Sequence, residues 1–226
     1  MIPLARRAAA EFVGTCLLVT VVIGSGIAAA RLSPDDVGLQ LAENAAATAA
    51  GLAVIILIVG PVSGAHLNPV VSLVDWALGR RDHTTLGVYA LAQTSGAIGG
   101  AVLANLMFGL PAVTVATTVR TGPSLWLAEV VATAGLVALV FSLVRTGRAH
   151  LAAPAVGAYI GSAYWFTSST SFANPAVTVG RVFSDTFAGI APGSVAPFVL
   201  AQVVGAVVGT ALVLVLHPAQ ASEEFV

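Results

Sequence analysis

The chain has 226 residues, 58% of them hydrophobic and 8% charged, with a mean hydropathy of +0.97 and a formal net charge of −1. Ordinary soluble domains carry about 25% charged residues, so this composition excludes a soluble fold of this length. All the basic side chains are arginines, and the slightly acidic balance excludes nucleic acid as a partner. The lone Cys16 lies in an apolar run and cannot close an intrachain disulfide. No cysteine–histidine spacing fits a metal, and no cofactor is expected.

A helix that crosses a bilayer needs about 20 mostly apolar residues. Six stretches qualify, at about 9–30, 41–61, 85–108, 124–144, 151–168 and 195–216. The first reads as a span and not as a cleaved leader, because no small-residue cleavage site with a polar chain follows it. Arg6, Arg7, Arg80, Arg81, Arg145 and Arg148 fall on one side of these spans, against Arg31, Arg120 and Arg181 on the other. The positive-inside rule then places both termini in the cytoplasm.

Asn68-Pro69-Val70 follows the second span, and Asn174-Pro175-Ala176 follows the fifth, 106 positions later. Two further patterns recur in the same order. Ala10-Glu11-Phe12-Val13-Gly14-Thr15 matches Ala128-Glu129-Val130-Val131-Ala132-Thr133, and Gln93-x-x-Gly96-x-x-x-Gly100 matches Gln202-x-x-Gly205-x-x-x-Gly209. The glycine pairs read as points of close helix approach. Residues 1–110 thus form a first repeat of three spans and 111–226 a second. Three is odd, so the second copy is inserted upside down, and such repeats place their site at the repeat interface near the bilayer midplane.

Each Asn-Pro pair opens a short helical pattern, near 69–79 and 175–185. Proline suits the first helical turn and asparagine the cap before it. Neither segment is long enough to cross a membrane, and buried backbone of this kind is tolerated only inside protein or beside a wet path. Two half-helices meeting at their N-termini bring two positive dipole ends, each about half an elementary charge, to one point. Cations are repelled there, while neutral hydroxylated solutes find amide donors. The expected fold is an all-α membrane protein of six transmembrane helices plus two re-entrant half-helices.

The two Asn-Pro motifs, the Glu11 and Glu129 repeats and Ser63-Gly64-Ala65-His66-Leu67-Asn68 together resemble the aquaporin or major intrinsic protein family over nearly the whole chain. The resemblance implies a homotetramer with one pore per subunit. It implies that Asn68 and Asn174 donate to the passing solute at the pore midplane, with Pro69, Val70, Pro175 and Ala176 around them. It implies an acceptor ladder from the carbonyls near Gly64, Ala65 and His66 and near Thr170, Ser171 and Phe172. Glu11 and Glu129 would brace the loops that carry the half-helices. The resemblance also implies a channel and not an enzyme.

The chain departs from that family at the outer constriction. Val177 stands where the family has an arginine after the second motif, and Thr48 where the second span usually offers an aromatic. Ser171 and Ser162 complete the expected filter. A shortened loop before Asn174 would instead bring in Tyr164 or Trp165. Arg181, one turn beyond Val177, either restores charge in the outer vestibule, anchors to headgroups or pairs with Asp185. Val70 replaces the usual alanine after the first Asn-Pro, with minor repacking expected. Loss of an arginine removes a fixed charge, several donors and a long side chain. The expected filter is wide and uncharged, leaning toward the aquaglyceroporin branch. The expected function is passive passage of water, glycerol and trivalent arsenic or antimony hydroxides or methylated arsenicals across a bacterial cytoplasmic membrane. The alternatives are a strict water channel and an inverted-repeat secondary transporter.

Overall fold

The computed structural model describes residues 2–218. Eight α-helices follow in order: α1 (Leu4–Leu32), α2 (Val37–Ser63), α3 (Pro69–Ala77), α4 (His83–Met107), α5 (Pro123–Arg145), α6 (Ala152–Phe166), α7 (Pro175–Gly180) and α8 (Val195–Leu216). The C-terminal end of the expected second repeat, beyond residue 218, lies outside the described residues. Local chemistry sets the helix starts. Asp36 and Asp82 accept from the Leu39 and Thr85 N–H groups at 2.9 and 2.6 Å, capping α2 and α4. Pro123 opens α5, and Gly64, at φ 93°, closes α2.

Five helices, α1, α2, α4, α5 and α8, are long and apolar enough to cross a bilayer. The expected span at 151–168 is α6, whose 15 residues cover only about 22 Å. A 3₁₀ turn over Ala149–Leu151 extends it at one end. The outward faces of α2 and α8 expose Val54, Leu57, Ile58, Leu200, Val207 and Val215, side chains suited to lipid. The chain is a multi-pass all-helical membrane protein.

Two close helix pairs organise the bundle, α1 on α4 and α5 on α8. The recurring glycines make both possible. A Cβ at Gly96 or Gly100 would collide with the Phe12 or Cys16 carbonyl of α1, and one at Gly205 or Gly209 with the Val130 or Ala134 carbonyl of α5. Backbone cannot yield as a side chain can. We therefore expect Gly100→Leu or Gly209→Leu to destabilise the protein by at least the ~1–3 kcal/mol typical of overpacking, read as a lower melting temperature in detergent. An unchanged melting temperature would mean the helices have room to separate.

The half-helices enter between these pairs. The expected segment 69–79 is helical to Ala77, whereas 175–185 is helical only to Gly180 and then tightens into a 3₁₀ turn, Arg181–Phe183. The second ends early because its C-terminal side is tied sideways. The Phe183 carbonyl accepts from Thr114 N and Asn105 Nδ2 at 3.2 and 2.9 Å, and the Val182 carbonyl from Ala116 N at 2.8 Å.

Candidate functional site

The tips of α3 and α7 are joined by a reciprocal pair of hydrogen bonds. Asn68 Nδ2 donates to the Ala173 carbonyl and Asn174 Nδ2 to the Leu67 carbonyl, each at 2.7 Å. The amide oxygens cap their own helices, accepting from Val70 N at 3.0 Å and from Ala176 N and Val177 N at 3.0 and 3.3 Å. Each Nδ2 carries two hydrogens. One is spent on the latch, and the second remains for a molecule in the adjoining cavity.

Both loops before the tips are held in an improbable backbone form. Ala65 and Leu67 have φ 49° and 53°, and Ser171 and Ala173 have φ 51° and 47°. Left-handed non-glycine residues cost about 1–2 kcal/mol each, so something must hold them. That role falls to Glu11 and Glu129, both fully buried. Glu11 accepts from Ser63 Oγ (2.6 Å), His66 N (2.9 Å), Leu67 N (2.6 Å) and Gln93 Nε2 (2.7 Å). Glu129 accepts from Ser169 Oγ (2.6 Å), Phe172 N (2.9 Å), Ala173 N (2.9 Å) and Gln202 Nε2 (2.7 Å). The glutamine amides also reach Ser72 Oγ and Thr178 Oγ1, at 3.1 and 2.9 Å. Sequence reasoning singled out Gln93 and Gln202 only as members of a glycine pattern and missed this tie. Their recurrence at matching places was the clue.

The left-handed turns leave carbonyls without protein partners. Among the described residues no protein donor reaches the carbonyls of Gly64, Ala65, His66, Ser171 or Phe172. All five residues line one cavity of about 270 Å³, which passes Asn68 and Asn174 and runs from the partly exposed Arg80 and Arg81 to the buried Arg181. Thr170, expected in the acceptor ladder, does not line it. Neither do Pro69, Val70, Pro175 or Ala176. Val70 packs with Val71, Val74, Val137, Phe141 and Val213, and Ala176 is fully buried in the main core. The extra methyls of Val70 thus fill core behind the half-helix and do not line the passage, although Val70 was expected among the residues around the pore midplane.

Toward Arg181, Thr48, Tyr164, Ser171 and Val177 line the wall together. Thr48 Oγ1 and the Tyr164 hydroxyl are 3.3 Å apart. Ser171 Oγ is buried with no protein partner among the described residues. Ser162, expected here, is exposed on the outer face of α6 and donates to the Tyr159 carbonyl of its own helix. Trp165 is 56% exposed and also faces away. The short loop between α6 and Asn174 brings Tyr164 to the passage instead, so an aromatic side chain stands beside Thr48 after all.

Arg181 is 3% exposed. Its guanidinium carbon lies 3.4 Å from the Phe172 ring centroid, and its Nε donates to the Ala188 carbonyl. It neither anchors outward nor pairs with Asp185, whose carboxylate accepts from Thr117 N and Oγ1 at 2.9 and 3.0 Å. At the opposite end of the cavity Asp75 accepts from Arg80 Nε and Arg81 Nε at 2.8 and 3.0 Å.

Comparison with known proteins agrees with this geometry. Residues 1–171 match the model of the family described as Major intrinsic protein, which stops just short of the second Asn-Pro pair. The chain is 51% identical to "Aquaglyceroporin AqpS" of Rhizobium meliloti (strain 1021), across 96% of this chain and 93% of that one. It is 31% identical to "Aquaporin AqpM" of Methanothermobacter marburgensis, across 92% and 95% of the two chains. An X-ray structure of the aquaglyceroporin from Plasmodium falciparum superposes with a TM-score of 0.72 at 20% identity, covering 96% of this chain and 97% of that one. The latched half-helices, the carboxylate braces and these likenesses agree: the chain belongs to the major intrinsic protein family, whose members are channels and not enzymes.

Proposed function

We propose that the chain is a passive channel for small neutral solutes, water and glycerol foremost, driven only by the solute gradient. The observation that carries this reading is the Asn68–Asn174 latch beside a cavity that extends past it on both sides, to Arg80 and Arg81 and to Arg181. Unpartnered carbonyls on one wall and amide hydrogens at the centre replace the hydration shell of a hydroxylated solute. The relative named an aquaglyceroporin at 51% identity supports glycerol as a substrate. Undissociated arsenic and antimony hydroxides and methylated arsenicals belong to the same size and polarity class, and Val177 in place of an arginine leaves width for them. Arg181 supplies the fixed positive charge of this end, one helical turn farther out than the family's position.

The channel sits in a cytoplasmic membrane with both termini inside, as a homotetramer in which each subunit has its own pore. The arginine bias supports this orientation: Arg6, Arg7, Arg80, Arg81, Arg145 and Arg148 fall on one side of the spans, against Arg31, Arg120 and Arg181 on the other. A strict water channel is the second reading, favoured by the Thr48–Tyr164 contact, which narrows the wall.

Stopped-flow light scattering on proteoliposomes separates these readings. Water and glycerol flux both well above bare lipid, linear in the gradient and indifferent to sodium, is the expected result. Water flux alone would establish the narrower channel. Saturable uptake tied to an ion gradient would replace both with a coupled transporter.

A further inference from the structure

A shift of 106 positions carries Asn68 onto Asn174, and with it His66 onto Phe172 and Asp75 onto Arg181. The framework behind the two pairs is the same, with Gln93 tied to Ser72 on one side and Gln202 to Thr178 on the other. The charges at the two ends are opposite. Where Arg181 stacks on Phe172, Asp75 stands beside the His66 ring, Oδ2 lying 3.4 Å from Nε2. A bare carboxylate lining the wall would draw small cations into the passage.

It is not bare. Gly79, at φ 72°, ends α3, and Arg80 N donates to the Asp75 carbonyl at 3.0 Å, turning the chain back on the helix. Both arginine Nε groups then reach the Asp75 carboxylate, which is 7% exposed against 50% for the Arg80 side chain and 31% for Arg81. Among the described residues the terminal Nη groups of this pair make no hydrogen bond, and both arginines line the cavity. Arg81 Nη2 reaches the wall at Gly64, within 3.5 Å of where a Cβ would stand. The other charges nearby, Glu11 and Arg7, are of opposite sign and leave the balance of the cluster to Asp75, Arg80 and Arg81. Glu11 has four donors on its two oxygens, and Arg7 adds a further cation, 6.0 Å from the centroid of the Tyr89 ring that packs on His66.

We propose that Arg80 and Arg81, positioned by Asp75, form a second charge barrier that excludes small cations at this end and offers its free N–H groups to oxygen-rich neutral solutes. The inference rests on the channel reading above. With Val177 at the filter, the charges of Arg80 and Arg81 on one side and Arg181 on the other add to the positive half-helix ends at the midplane.

Replacement of the three groups changes the local charge in steps. The native cluster carries one net positive charge, D75N/R80Q/R81Q carries none, and R80Q/R81Q leaves a single negative charge. Potassium and proton leak into proteoliposomes, divided by water permeability, is the readout. The ratio rises in that order, by roughly tenfold or more from the native chain to R80Q/R81Q, the scale on which focused charge changes local ion concentration. The pair R80K/R81K, which keeps both charges, restores a low ratio. A merely structural role for the cluster gives ratios that ignore the sign of the charge. Equal ratios in all variants, or a triple variant as leaky as the double, would overturn the barrier. Native vesicles no more permeable to water than bare lipid would instead overturn the channel reading itself.

Discussion

The V177R variant conducts glycerol roughly tenfold more slowly than the native chain, an added barrier of about 1.4 kcal/mol, while its water flux falls by less than about threefold. Val177 is 5% exposed and shares the wall with Thr48, Tyr164 and Ser171. An arginine there adds a long side chain and up to five donors at the point where the solute must pass. Arg181, four residues on, already occupies the Phe172 ring and the Ala188 carbonyl. Like charges at this spacing repel, so the new guanidinium is driven away from Arg181 and across the passage toward Thr48 and Tyr164. The double variant V177R/R181V keeps a single charge and moves it one turn inward, which separates narrowing from repulsion. It discriminates against glycerol as V177R does, and V177L, with bulk but no charge, discriminates less. Stopped-flow permeabilities for both solutes in one vesicle preparation decide the matter. If the two fluxes fall together, the constriction lies elsewhere in the passage.

What the sequence made legible was whatever repeats or has a length. The spans at 41–61 and 195–216 correspond to α2 and α8, with α2 starting four residues earlier and ending two later and α8 unchanged. The two Asn-Pro pairs announced half-helices because proline and asparagine have narrow local preferences that survive any tertiary setting. Direction was not legible. Val70 directly follows its Asn-Pro pair yet packs into core, since the face a helical residue takes follows its phase around the axis and not its distance from the motif. Ser162 was the expected fifth-span residue, with Tyr164 or Trp165 as the alternatives for a short loop before Asn174, and it is Tyr164 that lines the passage. The kinship of Asp75 and Arg181 was hidden for a different reason. They hold equivalent places with opposite charge, and pattern matching by residue type passes over such a pair. Gln93 and Gln202 were visible as a repeat but not as a tie, because sequence does not say which acceptor an amide meets.

Replacing Glu129 with leucine abolishes solute flux and leaves little folded protein. The carboxylate takes four donors, at 2.6, 2.9, 2.9 and 2.7 Å, within a fully buried site. The Ser169 hydroxyl and the Gln202 amide can turn to other partners, but the Phe172 and Ala173 N–H groups are fixed by the backbone. An orphaned buried donor costs about 1–3 kcal/mol, so the two together cost roughly 2–6 kcal/mol against a total stability of about 5–15 kcal/mol. The left-handed turns at Thr170, Ser171 and Ala173, at φ 62°, 51° and 47°, then have nothing to oppose their relaxation. A relaxed loop withdraws the Ala173 carbonyl from Asn68 and breaks one arm of the latch. The same reasoning applies to Glu11→Leu through His66 N and Leu67 N. Glutamine at either position keeps one acceptor oxygen and the side-chain volume, and its effect is correspondingly smaller. Melting temperature in detergent and glycerol flux in vesicles are measured for both substitutions at Glu129. Native-like values for the leucine variant would show that the loop holds its shape without the brace, and the strain argument for the site would fall.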